Sequence, residues 1–122
     1  MPKVLKFEFC LMTIYDRYLV TNINEGFHLL PKHNKILVDI AISHFKDRPF
    51  IYITHRINSY SVDPKIYFET SKIKNLAGLA VVSDKFKAKS NAEVEKMFFN
   101  KPFEIFDDLE TAKQWAEDLL SQ

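Results

Sequence analysis

The segment that decides the fold is FIYITHRINSYSVDP, residues 50–64. Its first five residues are all aromatic or β-branched, which is typical of a strand buried on both faces of a sheet. Residues 55–61 are mostly polar, and Asp63-Pro64 then predicts a helix start, with Asp63 as N-cap and Pro64 at the first helical position. Open α/β sheets usually place ligands where a buried strand leads into such a loop and helix N-terminus. We therefore expect a functional site in the loop after this strand.

Two further strands are predicted before this segment. Residues 3–15 begin with alternating apolar and charged residues, which indicates a half-buried strand at a sheet edge. From Cys10 onward both faces of this strand become apolar. Asp16-Arg17 predicts a tight turn, and residues 18–23 return as a second, antiparallel strand.

Four helices are predicted from apolar spacing and end signals. They cover residues 31–45, 64–72, 84–99 and 107 onward. In the third helix, Ser90 and Glu93 are predicted to form a capping box. Its inward residues are predicted to be Val94, Met97 and Phe98. In the last helix, Asp107 and Glu110 open the first turn, and the predicted inward residues are Leu109, Ala112, Trp115, Ala116 and Leu119.

The most apolar window, LAGLAVVS at residues 76–83, predicts a central strand in which Gly78 allows close backbone packing. Residues 103–106 predict one more short strand. The order is therefore β-β-α-β-α-β-α-β-α over a single domain, residues 1–122. This order predicts an α/β fold with a mostly parallel central sheet, one antiparallel edge from an N-terminal hairpin, and helices packed on the sheet.

Composition excludes several classes of function. The net charge of +1 gives no global field that would attract nucleic acid or an anionic membrane. A lone cysteine, Cys10, excludes an internal disulfide and favours the cytoplasm. No apolar run approaches the roughly 20 residues of a membrane span, and we see no signal peptide. Two glycines cannot build a dinucleotide fingerprint or a phosphate-binding loop, so we predict no cofactor.

Metal binding and catalysis have little support from motifs. The spacing of the four histidines, at positions 28, 33, 44 and 55, matches no zinc motif, so we predict no metal site. Ser59 or Ser61 could act with His55 as a nucleophile and base, but no nucleophile elbow or glycine-built oxyanion loop is present. We therefore assign no catalytic residue. Lys85, Lys87 and Lys89 favour a solvated helix face over a phosphate site.

The constellation that favours binding is Arg56 with Tyr60. If both are exposed near a helix N-terminus, they could hold an anion or an acidic side chain of a partner. Changing both to alanine would then alter the melting temperature little. The competing interpretation is that Arg56 pairs with Asp63 or another nearby acid while Tyr60 packs. The full set of candidate binding residues is His55, Arg56, Asn58, Ser59, Tyr60 and Ser61.

Three segments carry a resemblance to a known fold group: YITHRINSYSVDPKIY (52–67), NLAGLAVVS (75–83) and EKMFFNKPFEIFDDLETAKQW (95–115). With the order of elements, they resemble STAS-like, or SpoIIAA-like, domains, the group of the sporulation anti-sigma-factor antagonist. Within it the chain is similar to small stand-alone bacterial proteins. In the signalling branch, the corresponding loop carries an Asp-Ser-Ser-Gly segment whose serine is phosphorylated by a partner kinase. Here that loop contains no glycine.

These observations predict a non-enzymatic cytoplasmic binding or regulatory module. Its partner would be an unidentified protein or a small ligand, and the sequence is also compatible with a homo-oligomer. One alternative is a phospho-regulated signalling protein that uses Ser59 or Ser61. The other is a small hydrolase-like enzyme that uses His55 and a loop serine.

Overall fold

Eight strands and four helices make up the chain in the computed structural model, which describes residues 2–122. In chain order they are β1 (Lys3–Lys6), β2 (Cys10–Ile14), β3 (Tyr18–Ile23), β4 (His28–Leu29), α1 (Pro31–Phe45), β5 (Phe50–His55), β6 (Ser61–Val62), α2 (Lys65–Ser71), β7 (Leu76–Val82), α3 (Phe86–Glu95), β8 (Phe103–Phe106) and α4 (Leu109–Leu120). A 3₁₀ turn, Lys96–Phe98, follows α3.

Six strands form the main sheet in the order β1-β2-β3-β5-β7-β8. The pairs from β3 to β8 are parallel, and β1, β2 and β3 pair antiparallel, so the predicted mixed α/β sheet with an antiparallel edge is confirmed. The prediction of one strand over residues 3–15 is wrong, because the chain reverses within it. Phe7 N–H donates to the carbonyl of Cys10 (2.8 Å), which closes the reversal where the alternating pattern stops.

The sheet separates two layers of helices. Side chains alternate across a strand, so Phe50 and Tyr52 of β5 lie in the core under α1, α2 and α3. Ile51 and Ile53 lie in the second core, under α4. Because β5 is buried on both faces, it is apolar at every position from Phe50 to Ile53. Three crossover helices therefore share one face, and α4 alone covers the other.

Helix α3 departs from its predicted packing. Its buried residues are Ala92 and Glu95, whereas Val94 and Met97 are 56% and 82% exposed. The predicted capping box is also wrong, since Ser90 lies in the middle of the helix. The physical reason is that Ala92, a small residue, lets the helix approach the sheet closely. The charge of Glu95 is compensated inside the protein by Arg56.

Helix α4 packs largely as predicted, with Ala112 and Ala116 buried against the sheet and Trp115 half-buried against Phe106. Its N-cap is Asp108 rather than Asp107, and the Asp108 carboxylate accepts the backbone N–H of Thr111 (2.8 Å). That bond, with a second from the Thr111 hydroxyl, lowers the pKa of Asp108.

Gly78 of β7 is confirmed as a point of close packing. A methyl group added there would lie 3.1 Å from the Pro102 carbonyl oxygen and 3.1 Å from Cη2 of Trp115. We expect Gly78→Ala to lower the free energy of unfolding by about 1–3 kcal/mol, because overpacking displaces these neighbours. Urea denaturation measures the change. An unchanged midpoint would show that Trp115 moves away without cost.

Candidate functional site

A buried ion pair lies directly after β5. The Nη1 of Arg56 donates to Oε2 of Glu95 (2.9 Å), and Nη2 donates to Oε1, so the guanidinium and carboxylate are joined at two points. The Tyr67 hydroxyl also donates to Oε1 of Glu95. The side chains of Arg56 and Glu95 are 5% and 8% exposed. The prediction of an exposed Arg56 is therefore wrong, and its partner is an acid 39 residues away in sequence.

Electrostatics fix the protonation of two members of this cluster, Arg56 and Tyr67. Burial opposes the charge of Arg56, but the ring of Tyr60 and the Glu95 carboxylate together raise the pKa of the guanidinium above its usual value. Burial, followed by the adjacent Glu95 carboxylate, raises the pKa of Tyr67 well above its usual value. Arg56 is thus always charged, and Tyr67 stays a neutral donor at physiological pH.

Tyr60 covers the ion pair from the loop side. The Arg56 guanidinium carbon lies 5.4 Å from the centre of the Tyr60 ring, a cation–π contact. The Tyr60 hydroxyl bonds with the hydroxyl of Thr54 (2.8 Å). Among residues 2–122, the buried Nε of Arg56 has no hydrogen-bond partner. From the sequence alone, changing Arg56 and Tyr60 to alanine was expected to alter the melting temperature little. Because both side chains take part in the packing, we now expect this double variant to lower the melting temperature.

The loop is tied to the turn after β3. Asn58 Nδ2 donates to the Ile23 carbonyl (3.0 Å), and the backbone N–H of Ser59 donates to Glu25 (2.8 Å). Gly26 N–H in turn donates to the carbonyl of Ser59 (2.7 Å). Gly26 has a φ of 74°, a left-handed conformation that glycine adopts without strain. The loop is therefore held in a defined position.

A second, two-stranded sheet closes the same region. Its strands, β4 and β6, pair in parallel. The Oγ of Ser61 lies 2.6 Å from Nδ1 of His28. Two-residue strands have no periodicity to detect, and so the sequence does not predict this sheet.

A groove of about 680 Å³ runs between this loop and α3. Five of the six predicted binding residues line it: Arg56, Asn58, Ser59, Tyr60 and Ser61. Lys87 and Asn91 of α3 form the opposite wall. The groove lies beyond the carboxyl ends of β5 and β7, as expected for an open α/β sheet.

Comparisons with known proteins define the fold. A solved structure matches with a TM-score of 0.56 at 14% identity, over 95% of this chain and 92% of that chain. It is an uncharacterized protein of the DUF3478 family from Shewanella loihica PV-4, described as having a SpoIIAA-like fold. This chain has a SpoIIAA-like, or STAS-like, fold. No family model matches the sequence, and no curated protein matches it.

His55 is the one predicted residue that this STAS-like fold separates from the groove. Side-chain alternation along β5 turns His55 to the α4 side, while Thr54 and Arg56 face α2 and α3. Burial, followed by the charge of Lys113 on α4, lowers the pKa of His55. Its side chain has no hydrogen bond to a serine within residues 2–122. The geometry that the hydrolase alternative needs is therefore absent from the described chain.

Neither a metal centre nor a membrane-spanning helix is found in the described STAS-like chain. Across residues 2–122, no group of three or more His, Cys, Asp or Glu side chains could hold a metal ion. Over the same residues, every helix is too short or too polar to cross a membrane.

Sequence reasoning missed the buried cluster that Tyr67 of α2 and Glu95 of α3 form with Arg56, and it missed the place of α3 in the wall of the groove. Glu95 and Tyr67 complete the buried cluster, and Lys85, Lys87 and Asn91 come from the other wall. The signal for Glu95 was the spacing Ala88, Ala92, Glu95, which places a charge in line with two small residues on one helix face. The larger apolar residues of the same helix obscured that face.

Proposed function

We propose that this protein is a non-catalytic binding module of the cytoplasm and that the groove beside α3 receives its partner. The observation that carries the proposal is the groove itself. Its floor is the buried, doubly hydrogen-bonded Arg56–Glu95 pair, and hydroxyl and amide side chains lie along its walls. Groups of this kind confer specificity on a site whose position is set by the fold.

The charges along the groove favour an acidic partner. Arg56 and Glu95 neutralise each other, and Glu25 accepts the N–H of Ser59. Lys85 and Lys87 remain exposed along the wall. A protein segment or small ligand that carries a carboxylate or phosphate would meet these lysines and the loop hydroxyls. The single thiol of Cys10, which is buried and free, supports the proposed cytoplasmic location, because chains without disulfides are typical of reducing compartments.

Asn91→Trp tests this proposal, because an indole on the α3 wall would fill the groove without touching the core. We expect affinity for a partner that co-purifies with the wild type to fall at least about tenfold, since the shape of the groove is lost. The melting temperature should change little, because Asn91 is exposed. Titration of the purified partner against wild type and variant measures the effect.

The matched control is Gln114→Trp, the same exposed substitution on α4 at the opposite face of the sheet. It should bind as the wild type does. Equal affinity of Asn91→Trp and Gln114→Trp would place the binding site elsewhere. If neither a protein nor a small molecule co-purifies with the wild type from its own cells, the binding-module proposal fails.

A further inference from the structure

The outer edge of the main sheet at β1 has no neighbouring strand among residues 2–122. Strand β1 pairs only with β2, and the two are antiparallel. The bond from Phe7 N–H to the Cys10 carbonyl (2.8 Å) fixes which residue pairs of this ladder carry hydrogen bonds. Because such pairs alternate along an antiparallel ladder, the N–H and C=O groups of Val4 and Lys6 point away from β2. This edge therefore presents main-chain donors and acceptors to a further strand.

A cleft of about 510 Å³ lies between this edge and α1. Its apolar lining comes from Leu5, Ile14 and Ile40, and its polar lining comes from Lys3, Asp39, Ser43 and His44. We refer to it as the β1 cleft. It shares no residue with the groove beside α3, so the two are separate sites. An exposed sheet edge with pockets for alternate side chains is the arrangement by which peptide-binding domains receive an extended segment as an extra strand.

The charge at this edge is positive. Lys3 and Lys6 are exposed at the two ends of β1, and neither forms an ion pair within the described chain. Asp39, the acidic residue of the cleft lining, is already paired with Lys35 of the same helix (3.0 Å). The edge therefore attracts a segment that carries acidic side chains.

We propose that β1 binds an extended segment of a partner protein as an additional strand of the main sheet, and that this segment has an acidic–apolar–apolar–acidic pattern. The pattern complements Lys3-Val4-Leu5-Lys6 position by position. Side chains alternate across a strand, so one apolar side chain of the segment enters the β1 cleft beside Leu5. The other covers Val4, which is 59% exposed on the opposite face. Because β1 has a lysine at each end, the same pattern suits a parallel or an antiparallel segment.

A second copy of the chain is disfavoured as the occupant of this edge. If two β1 strands paired antiparallel about their centres, Lys3 of one copy would lie opposite Lys6 of the other at both ends of the pair. Like charges directly opposite each other destabilise a strand pair, and lysines on edge strands protect against self-association. The same two lysines attract an acidic segment, so they discriminate between the two occupants.

The experiment is an NMR titration of the full chain with the peptide Thr-Glu-Val-Ile-Glu-Thr, blocked at both ends. We expect shift changes of amides in β1, β2 and the facing side of α1. Hydrogen exchange of the Val4 and Lys6 amides should become slower, because these amides gain acceptors in the added strand. The peptide Thr-Lys-Val-Ile-Lys-Thr should bind at least about tenfold more weakly, since its lysines would meet Lys3 and Lys6.

Two variants of β1 separate binding from folding. Lys3→Glu with Lys6→Glu should reverse the preference, so that the lysine peptide binds more tightly than the glutamate peptide. A general loss of structure could not produce this reversal. Val4→Pro removes an outward N–H but no hydrogen bond of the sheet, so its melting temperature should stay within a few degrees of the wild type. Its affinity for the glutamate peptide should fall about fivefold, through loss of one main-chain hydrogen bond.

The matched control is Lys74→Glu with Lys96→Glu, which reverses two exposed lysines away from β1 and should bind as the wild type does. Asn91→Trp should also leave peptide binding unchanged, which separates this proposal from that of the groove. No binding by the wild type, equal binding of the two peptides, or an unchanged preference in Lys3→Glu with Lys6→Glu would overturn the proposal. A wild-type dimer that Val4→Pro converts to monomer would also overturn it and assign the edge to self-pairing.

Discussion

Glu95→Ala is expected to lower the free energy of unfolding by about 3–5 kcal/mol. The variant leaves Arg56 buried and charged, because a guanidinium cannot lose its proton near neutral pH. It also removes the acceptor of the Tyr67 hydroxyl. Since small domains are stable by only about 5–15 kcal/mol, the loss would leave the protein partly unfolded at moderate temperature. Urea denaturation followed by circular dichroism measures it.

The control for this prediction is two residues away on the same helix. Glu93→Ala makes the same chemical change at an exposed position and should shift stability by no more than about 0.5 kcal/mol. Arg56→Met with Glu95→Leu removes both charges together and should recover most of the loss. A double variant as unstable as Glu95→Ala would show that packing, and not an unpaired charge, accounts for the effect.

Val81→Asp is expected to abolish folding. Val81 is 0% exposed, and β7 pairs with β5 on one side and β8 on the other, so the carboxylate could not reach water. An unpaired buried charge costs several kcal/mol, which is comparable with the whole stability of the domain. The measurement is the soluble fraction after expression, together with the dispersion of the amide NMR spectrum.

Val4→Asp provides the comparison for Val81→Asp, because Val4 lies on the edge strand β1 and is 59% exposed. It should fold with a melting temperature close to that of the wild type. A soluble Val81→Asp with a well-dispersed spectrum would contradict the central position of β7.

The parts of the fold that could be predicted are those with a strong local signal. Residues 50–55 and 76–82 carry long apolar runs bounded by polar residues, and both are interior strands. The apolar spacing and Pro31 predict α1 with its observed ends. Helix α2 begins at Lys65 with Pro64 as its N-cap, one residue later than predicted, although Oδ1 of Asp63 does accept the N–H of Lys65 (3.0 Å).

Errors arose where one local pattern allowed two arrangements. Helix α3 and the 3₁₀ turn after it have two faces, one with Ala92 and Glu95 and the other with Val94 and Met97. Hydrophobicity alone favours the second, yet the first is buried. The choice depends on how closely the helix can approach the sheet and on whether Arg56 is there to pair with Glu95. The sequence of the helix alone determines neither condition.

The candidate site divides in the same way. Its location in the loop after β5 could be predicted from the sequence, because this buried strand leads into a polar connection near a helix start. The role of each residue in this loop could not be predicted from the sequence. The local sequence around Arg56 is the same whether its side chain faces solvent or a buried acid. The pairs Arg56–Glu95 and His28–Ser61 join residues 39 and 33 positions apart, and no local periodicity encodes such distances.

By itself, then, the sequence determined the order of the main strands and helices from β3 onward, the mixed sheet and the loop that forms one wall of the groove. These depend on hydrophobic periodicity and end signals, which act over a few neighbouring residues. Only the tertiary structure decided that Arg56 belongs to the core, that His55 faces away from the groove, and that α3 and the turn after it leave Phe86 and Met97 exposed to solvent. Those outcomes depend on which distant surfaces meet, because burial free energy belongs to the contact between two elements and not to either one alone.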